Sequence, residues 1–320
     1  MANENAKVDR PNPGSHASHV FADRAFKGLA VGAGALILAI LGFVTVFLLA
    51  EAWPAFIAGD EVGGAQPQSI WQYVAPFAFG TLWVALLALI LATPVAIGVA
   101  LFISHYAPRK LATPLGYLVD LLAAVPSVVF GLWGILVLAP LMQPIYVWLN
   151  RYFGWTAFFE GPVSGTGRTV LTIAIVLAVM ILPIMTAVCR ELFLQTPPLQ
   201  EEAALALGAT RWEMIRLAVL PGARSGIISA MMLGLGRALG ETMAVAMVLS
   251  PAAVISFALI TTQNPNTIAA NIALNFPEAF GLQINTLIAT GLVLFAITLV
   301  INIGARWAIL RRAQFSGANA

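Results

Sequence analysis

Charge is what this 320-residue chain has least of. Asp, Glu, Lys and Arg together make up 9% of it, against 60% hydrophobic residues, where soluble domains carry about 25% charged residues. A water-soluble globular domain is thereby excluded. Cysteine occurs once, at Cys189, which excludes an internal disulfide. Lysine occurs only as Lys7, Lys27 and Lys110, and none stands in a Gly-x-x-x-x-Gly-Lys-[Ser/Thr] setting, so the chain has no P-loop with which to bind ATP. The alternation of apolar and polar residues that marks the strands of a membrane β-barrel is also missing.

What is present is a series of long apolar runs, near residues 29–50, 76–104, 116–141, 170–189, 226–249 and 285–305. A hydrocarbon core of about 30 Å takes roughly 20 helical residues to cross, and a helix satisfies its own backbone in lipid. The chain is therefore expected to be an all-α, polytopic bundle of six transmembrane spans. The first run is too long for the apolar region of a signal peptide and has no convincing cleavage site, so it is taken as a retained helix. Three segments follow: a disordered cytoplasmic tail over 1–25, a membrane domain over 26–312, and a short cytoplasmic tail over 313–320.

Orientation comes from the basic residues. Lys7, Arg10, Arg24 and Lys27 precede the first run; Arg109 and Lys110 follow the second. Arg190, Arg211, Arg216 and Arg224 surround the fourth connection, and Arg306, Arg311 and Arg312 end the chain. The alternate loops hold only Arg151 and Arg168. Basic residues favour the cytoplasmic side, which puts both termini inside, as six spans require. Proline occurs within the second, third and fourth runs, as Pro94, Pro126 and Pro183; such residues bend a membrane helix where neighbours re-satisfy its backbone.

Between the fourth and fifth runs lies the polar stretch 196–221, TPPLQEEAALALGATRWEMIRLAVLP. Pro197-Pro198 suits the first turn of a helix, where the missing N–H has no partner to lose. Gly208 is placed to end that helix. Thr210 and Glu213 have the spacing of a capping box that opens a second one, which Pro221 is expected to stop. The result is a helix-turn-helix elbow with Trp212 and Ile215 left to pack on something outside the chain.

Glu202-Ala203-Ala204, then Gly208, and later Leu220-Pro221 resemble the EAA loop in the membrane subunits of bacterial ABC importers. That family usually has Ile where this chain has Ala218, an apolar-for-apolar change. The resemblance implies a type I importer permease fold of the MetI-like kind. It implies also that Glu202, Ala203, Ala204, Gly208, Trp212 and Ile215 couple the chain to a separate ATPase subunit.

The fifth run holds an unusual charged step, Gly234-Leu-Gly236-Arg237-Ala-Leu-Gly240-Glu241-Thr242. A charge at the centre of a membrane helix costs about 2.5 to 3.5 kcal/mol on insertion scales, so it needs a partner or a wet path. Arg237 and Glu241 are four apart and expected on one helix face, with Gly236 and Gly240 on an adjoining face that admits a neighbouring helix. Two accounts stay open from the residues alone: a self-neutralising ion pair, or a face lining a substrate path.

Leu118 to Gly134, LVDLLAAVPSVVFGLWG, and Arg237-Ala-Leu-Gly-Glu-Thr242 resemble the corresponding segments of the permease subunits of high-affinity phosphate importers. This resemblance covers most of residues 25–310. It implies a substrate path through Arg237, Glu241, Thr242 and Ser127, with Arg237 as a bidentate phosphate donor. Implied partners are a sister permease subunit forming a heterodimer, two ATPase subunits and an external phosphate-binding protein, in the bilayer of the bacterial inner membrane. ATP and Mg belong to the partners; no cofactor, resident metal, catalytic residue or nucleic acid is expected of this chain. Sulfate or molybdate import, or an ion-gradient-coupled transporter, are the competing readings.

Lesser features carry two readings each. Asp120 caps the third span at its entrance or gates it, and Ser164 to Arg168 is an anion-binding turn or simply the entry to a helix. His16 and His19 have metal-pair spacing, but no acidic or Cys companion. Glu51, Asp60 and Glu61 make the first outward loop acidic, either as a docking surface or as a solvated loop. The asparagine-rich stretch 251–285 is expected as an external loop with a short apolar or re-entrant piece.

Overall fold

The computed structural model describes residues 13–59, 62 and 68–316. It has ten α-helical elements among the described residues, α1 Pro13–Ile57, α2 Ile70–Tyr106, α3 Arg109–Ala123, α4 Ser127–Phe153, α5 Val170–Leu194, α6 Pro198–Ala206, α7 Arg211–Leu239, α8 Met243–Val248, α9 Ile268–Asn275 and α10 Leu282–Ser316, with a 3-10 turn at Phe276–Glu278. Six of them are long and apolar enough to cross a membrane: α1 from Phe26, α2, α4, α5, α7 and α10 to Trp307. One wider π turn lies in each of α2, α4 and α7, at Phe102–Tyr106, Gly134–Leu138 and Ile215–Val219.

The chain divides into two units, residues 1–51 and 52–320. In the first, α1 starts at Pro13, so residues 13–25, expected as a disordered tail, are helical. Its large apolar side chains, such as Leu38 and Phe43, are exposed. Asp60, Glu61 and the side chains of His16 and His19 lie outside the described residues.

The second unit is organised round α5, the most buried of the spans. It packs most extensively on α2 and then on α7. The α2 contact is legible in the residues, because Ala85, Ala88, Ala92, Ala96 and Ala100 recur at three or four positions and are all buried, and small side chains let helix axes approach where lipid supplies no hydrophobic drive. Against α7 the close approaches are at Gly226, where an added Cβ would meet the Leu192 side chain, and at Gly234, where it would meet Met185 Sδ at 2.8 Å. Gly236 and Gly240, expected to serve this purpose, meet no neighbouring helix among the described residues.

Two spans differ from expectation. The third was placed at 116–141, but Pro126 is the N-terminal cap of α4 and not a kink within a span. It follows a break at residues 124–125, so Arg109–Ala123 is a separate helix and the span runs on to Phe153. Proline disfavours the helical conformation for the residue before it, which separates two apolar stretches that a hydropathy window merges. The fifth, placed at 226–249, begins at Arg211 and ends at Leu239. Pro221 does not stop it, since it sits in the first turn of the helix that follows the Ile215–Val219 π turn.

At the end of the bundle opposite the elbow, residues 251–281 fold over the start of α5. Two-residue strands at Pro251–Ala252 and Asn264–Pro265 pair in parallel, and α9 follows. Asn264 is fully buried: its Oδ1 accepts from Val170 N–H at 3.2 Å, and its Nδ2 donates to Arg168 O at 3.0 Å and Ser250 O at 3.3 Å. Phe79, Trp83, Phe158 and Phe257 form a ring cluster against the same region.

Candidate functional site

The elbow forms largely as its residues dictate. Pro198 opens α6, and Gly208 adopts φ +86°, a left-handed conformation in which a side chain would be strained. Thr210 Oγ1 accepts from Glu213 N–H, and Glu213 Oε2 accepts from Thr210 N–H at 2.8 Å, which completes the capping box. Both halves of the motif line one open hollow of ≈ 830 Å³, with Ala203, Ala204 and Gly208 on one side and Ala218 and Pro221 on the other. Glu202 and Ala203 are exposed.

Around it, Leu207, Leu217 and Trp212 are 90%, 68% and 54% exposed, an apolar surface that water does not favour. Ile215 departs from expectation. It is fully buried in a cluster with Ala100 and Leu101 of α2, Cys189 and Phe193 of α5, and Met214 and Val219. Ile215 therefore anchors the elbow to the bundle instead of facing outward. The sequence did not distinguish it from Trp212 because both sit on a short amphipathic segment whose inward face depends on the π turn.

The charged step is broken. α7 ends at Leu239, Glu241 is non-helical and α8 starts at Met243. Arg237 thus lies in the last turn of one helix while Glu241 Oε1 accepts from Ala244 N–H at 3.0 Å in the first turn of the next. The expected common face and ion pair do not form, because a carboxylate beside a helix N-terminus finds free amides there. Arg237 Nε is buried with no hydrogen-bond partner among the described residues. Glu241 is itself buried, and its second oxygen has no hydrogen bond among them. Thr242 Oγ1 donates to Gly240 O at 3.1 Å, so its hydrogen serves the break. Ser127 is the first residue of α4, a helix that packs on α8 through Gly131 and Ala244, 3.0 Å from Cα to the position a Cβ would take.

Other candidates resolve into structure. Arg168 donates to the carbonyls of Met247, Val248 and Leu249 at 3.1 to 3.3 Å, closing the C-terminus of α8. Its Nε and Nη2 are thereby committed to backbone. Asp120 lies near the end of α3, where its carboxylate is 3.7 Å from Arg190 on α5; it caps no span entrance. Gly116 leaves the room that Arg190 occupies. A second ion pair, His105 with Glu201 at 3.4 Å, joins the end of α2 to α6. Nothing in the sequence flags it, because the partners are 96 positions apart and neither belongs to a motif.

The family model for the binding-protein-dependent transport system inner membrane component matches residues 92–313. The phosphate transport system permease protein PstC 2 of Mycobacterium bovis is 46% identical over 295 residues, covering 89% of this chain and 90% of that protein. PstC of Mycobacterium leprae is 44% identical over 309 residues, covering 93% of this chain and 97% of that protein. Among solved structures, an inward-facing methionine ABC transporter, MetNI, is similar at 16% identity and TM-score 0.48, over 76% of this chain and 93% of that one. The family match spans more than half of the chain, and on that ground the chain belongs to the inner membrane components of binding-protein-dependent transport systems.

Proposed function

We propose that the chain is the membrane-spanning permease subunit of an ATP-binding-cassette importer that moves inorganic phosphate into the cytoplasm. The relatives named for phosphate transport support the cargo. Within the chain, the observation that carries the reading is the buried, unpartnered Arg237 Nε. A cation held in a span without its own carboxylate is explained by an anion that visits it.

Arg237 meets the phosphate oxygens as a planar donor that stays charged. Glu241 keeps one oxygen free after capping α8, and that oxygen accepts the P–OH of hydrogenphosphate, which sulfate lacks. Thr242 and Ser127 flank the path. The chain performs no covalent chemistry itself. Its partners are a PstA-like sister permease, two PstB-like ATPases that carry ATP and Mg, and a PstS-like phosphate-binding protein outside an inner membrane crossed six times, with both termini cytoplasmic. Glu202, Ala203, Ala204, Gly208 and Trp212 face the ATPase, and Ile215 holds the elbow to the spans.

The test is ATP-dependent uptake in proteoliposomes holding the whole complex, with phosphate against sulfate. Arg237→Ala is expected to lower phosphate uptake at least tenfold, the loss of one charge-assisted contact of about 1.5 to 3 kcal/mol, without loss of complex assembly. Normal uptake by that variant sinks the path assignment. Glu241→Gln is expected to narrow the preference for phosphate over sulfate; unchanged discrimination removes its role.

A further inference from the structure

We propose that His105 is a proton-dependent latch between the elbow and the second span, so that cytoplasmic pH adjusts how firmly ATPase motion is delivered to the bundle. The proposal deepens the coupling role given to the elbow and rests on it.

The hydrogens available around His105 define its protonation. His105 lies in the π turn Phe102–Tyr106 that ends α2, and its side chain is 9% exposed. Its Nδ1 is 2.7 Å from Ser104 Oγ. The one hydroxyl hydrogen of Ser104 has another taker, because Oγ is 2.8 Å from Ala100 O, a carbonyl that only accepts. Ser104 Oγ therefore accepts from His105, and Nδ1 carries a hydrogen.

The other ring nitrogen, Nε2, is 3.4 Å from Glu201 Oε1 in the first turn of α6. In neutral imidazole with hydrogen on Nδ1, Nε2 presents a lone pair to that carboxylate. Only imidazolium, with hydrogen on both nitrogens, satisfies both contacts.

Among the described residues, Glu201 is the charged group that His105 meets. On α3 and α5, which pack on the same turn, Asp120 and Arg190 face each other at 3.7 Å. They line the hollow that Ser104 also lines, together with Tyr117. Lys110, Glu191, Glu202, Tyr106 and Tyr117 are exposed, and Cys189 is buried in the apolar cluster below the elbow. Arg109 begins α3.

The sign follows. A histidine–carboxylate pair is closed while the imidazole carries both ring hydrogens and opens when one is lost, so rising pH loosens the latch. The elbow keeps its apolar anchor through Ile215 and Met214 at any pH, so the latch modulates coupling and does not abolish it.

The experiment uses the complete complex in proteoliposomes, with ATP inside and the interior buffered at steps from about pH 6 to pH 8. The parent is expected to lose uptake with rising pH by about two- to fivefold more than His105→Gln does, the size of a partly exposed ion pair. Glu201→Gln is expected to show the same flattened profile, and His105→Lys to hold the higher uptake across the range. Co-purification of the ATPase with each variant reports assembly. Profiles of His105→Gln and Glu201→Gln that parallel the parent, with assembly intact, overturn the latch alone. A parent elbow that retains no ATPase overturns the coupling reading and the latch with it.

Discussion

Arg168 and Arg237 are the same side chain put to opposite uses. Both stand beside helix ends, yet Arg168 donates to three consecutive carbonyls at the C-terminus of α8, while Arg237 has a buried nitrogen that donates to nothing among the described residues. The first is a structural cap, and its loss leaves carbonyls that no neighbour satisfies. Arg168→Ala is expected to lower stability by about 1.5 to 3 kcal/mol, seen as earlier thermal unfolding of the purified complex. Arg168→Lys recovers only part, because a single ammonium does not fork over several acceptors. Sequence placed Arg168 beside glycines and hydroxyls and left an anion site open; what decided the matter was the return of residues 247–249 to within 3.3 Å of it, a contact across some 80 positions.

Among the elements, the elbow was the most legible and the charged step the least. Pro198, Gly208, Thr210 and Glu213 act through their own backbone and immediate neighbours, so each took the place its chemistry implies. Gly208 tests this directly. Gly208→Val forces a β-branched residue into left-handed φ, at a cost of about 1 to 2 kcal/mol, and is expected to lower ATP-driven uptake fivefold or more. Gly208→Asn, which tolerates that conformation better, is expected to retain most of it; equal loss in both variants argues against a conformational role. The step at 237–242 misled because four-residue spacing implies a shared face only on an unbroken helix. Here Gly240 ends one helix, and Glu241 is drawn to the free N–H groups of the next.

For the whole molecule, the six-span count and the sidedness of charge make a prediction that is independent of cargo. Single cysteines replacing Gln200 in the elbow and Thr262 in the opposite loop, in a Cys189→Ala background, are expected to react with an impermeant thiol reagent from opposite faces of the membrane. Labelling of both from one face contradicts the orientation. The number of spans, the helical class and the caps of the elbow at Pro198, Gly208 and Thr210 were determined by sequence alone, since hydrocarbon thickness, backbone satisfaction and local capping are rules that a single segment obeys or breaks by itself. Tertiary structure alone decided where the third and fifth spans begin and end, that Ile215 faces inward, that Arg237 Nε has no partner among the described residues, and that His105 meets Glu201. Those outcomes depend on which distant atoms compete for each donor, acceptor and apolar face, and only packing brings the competitors together.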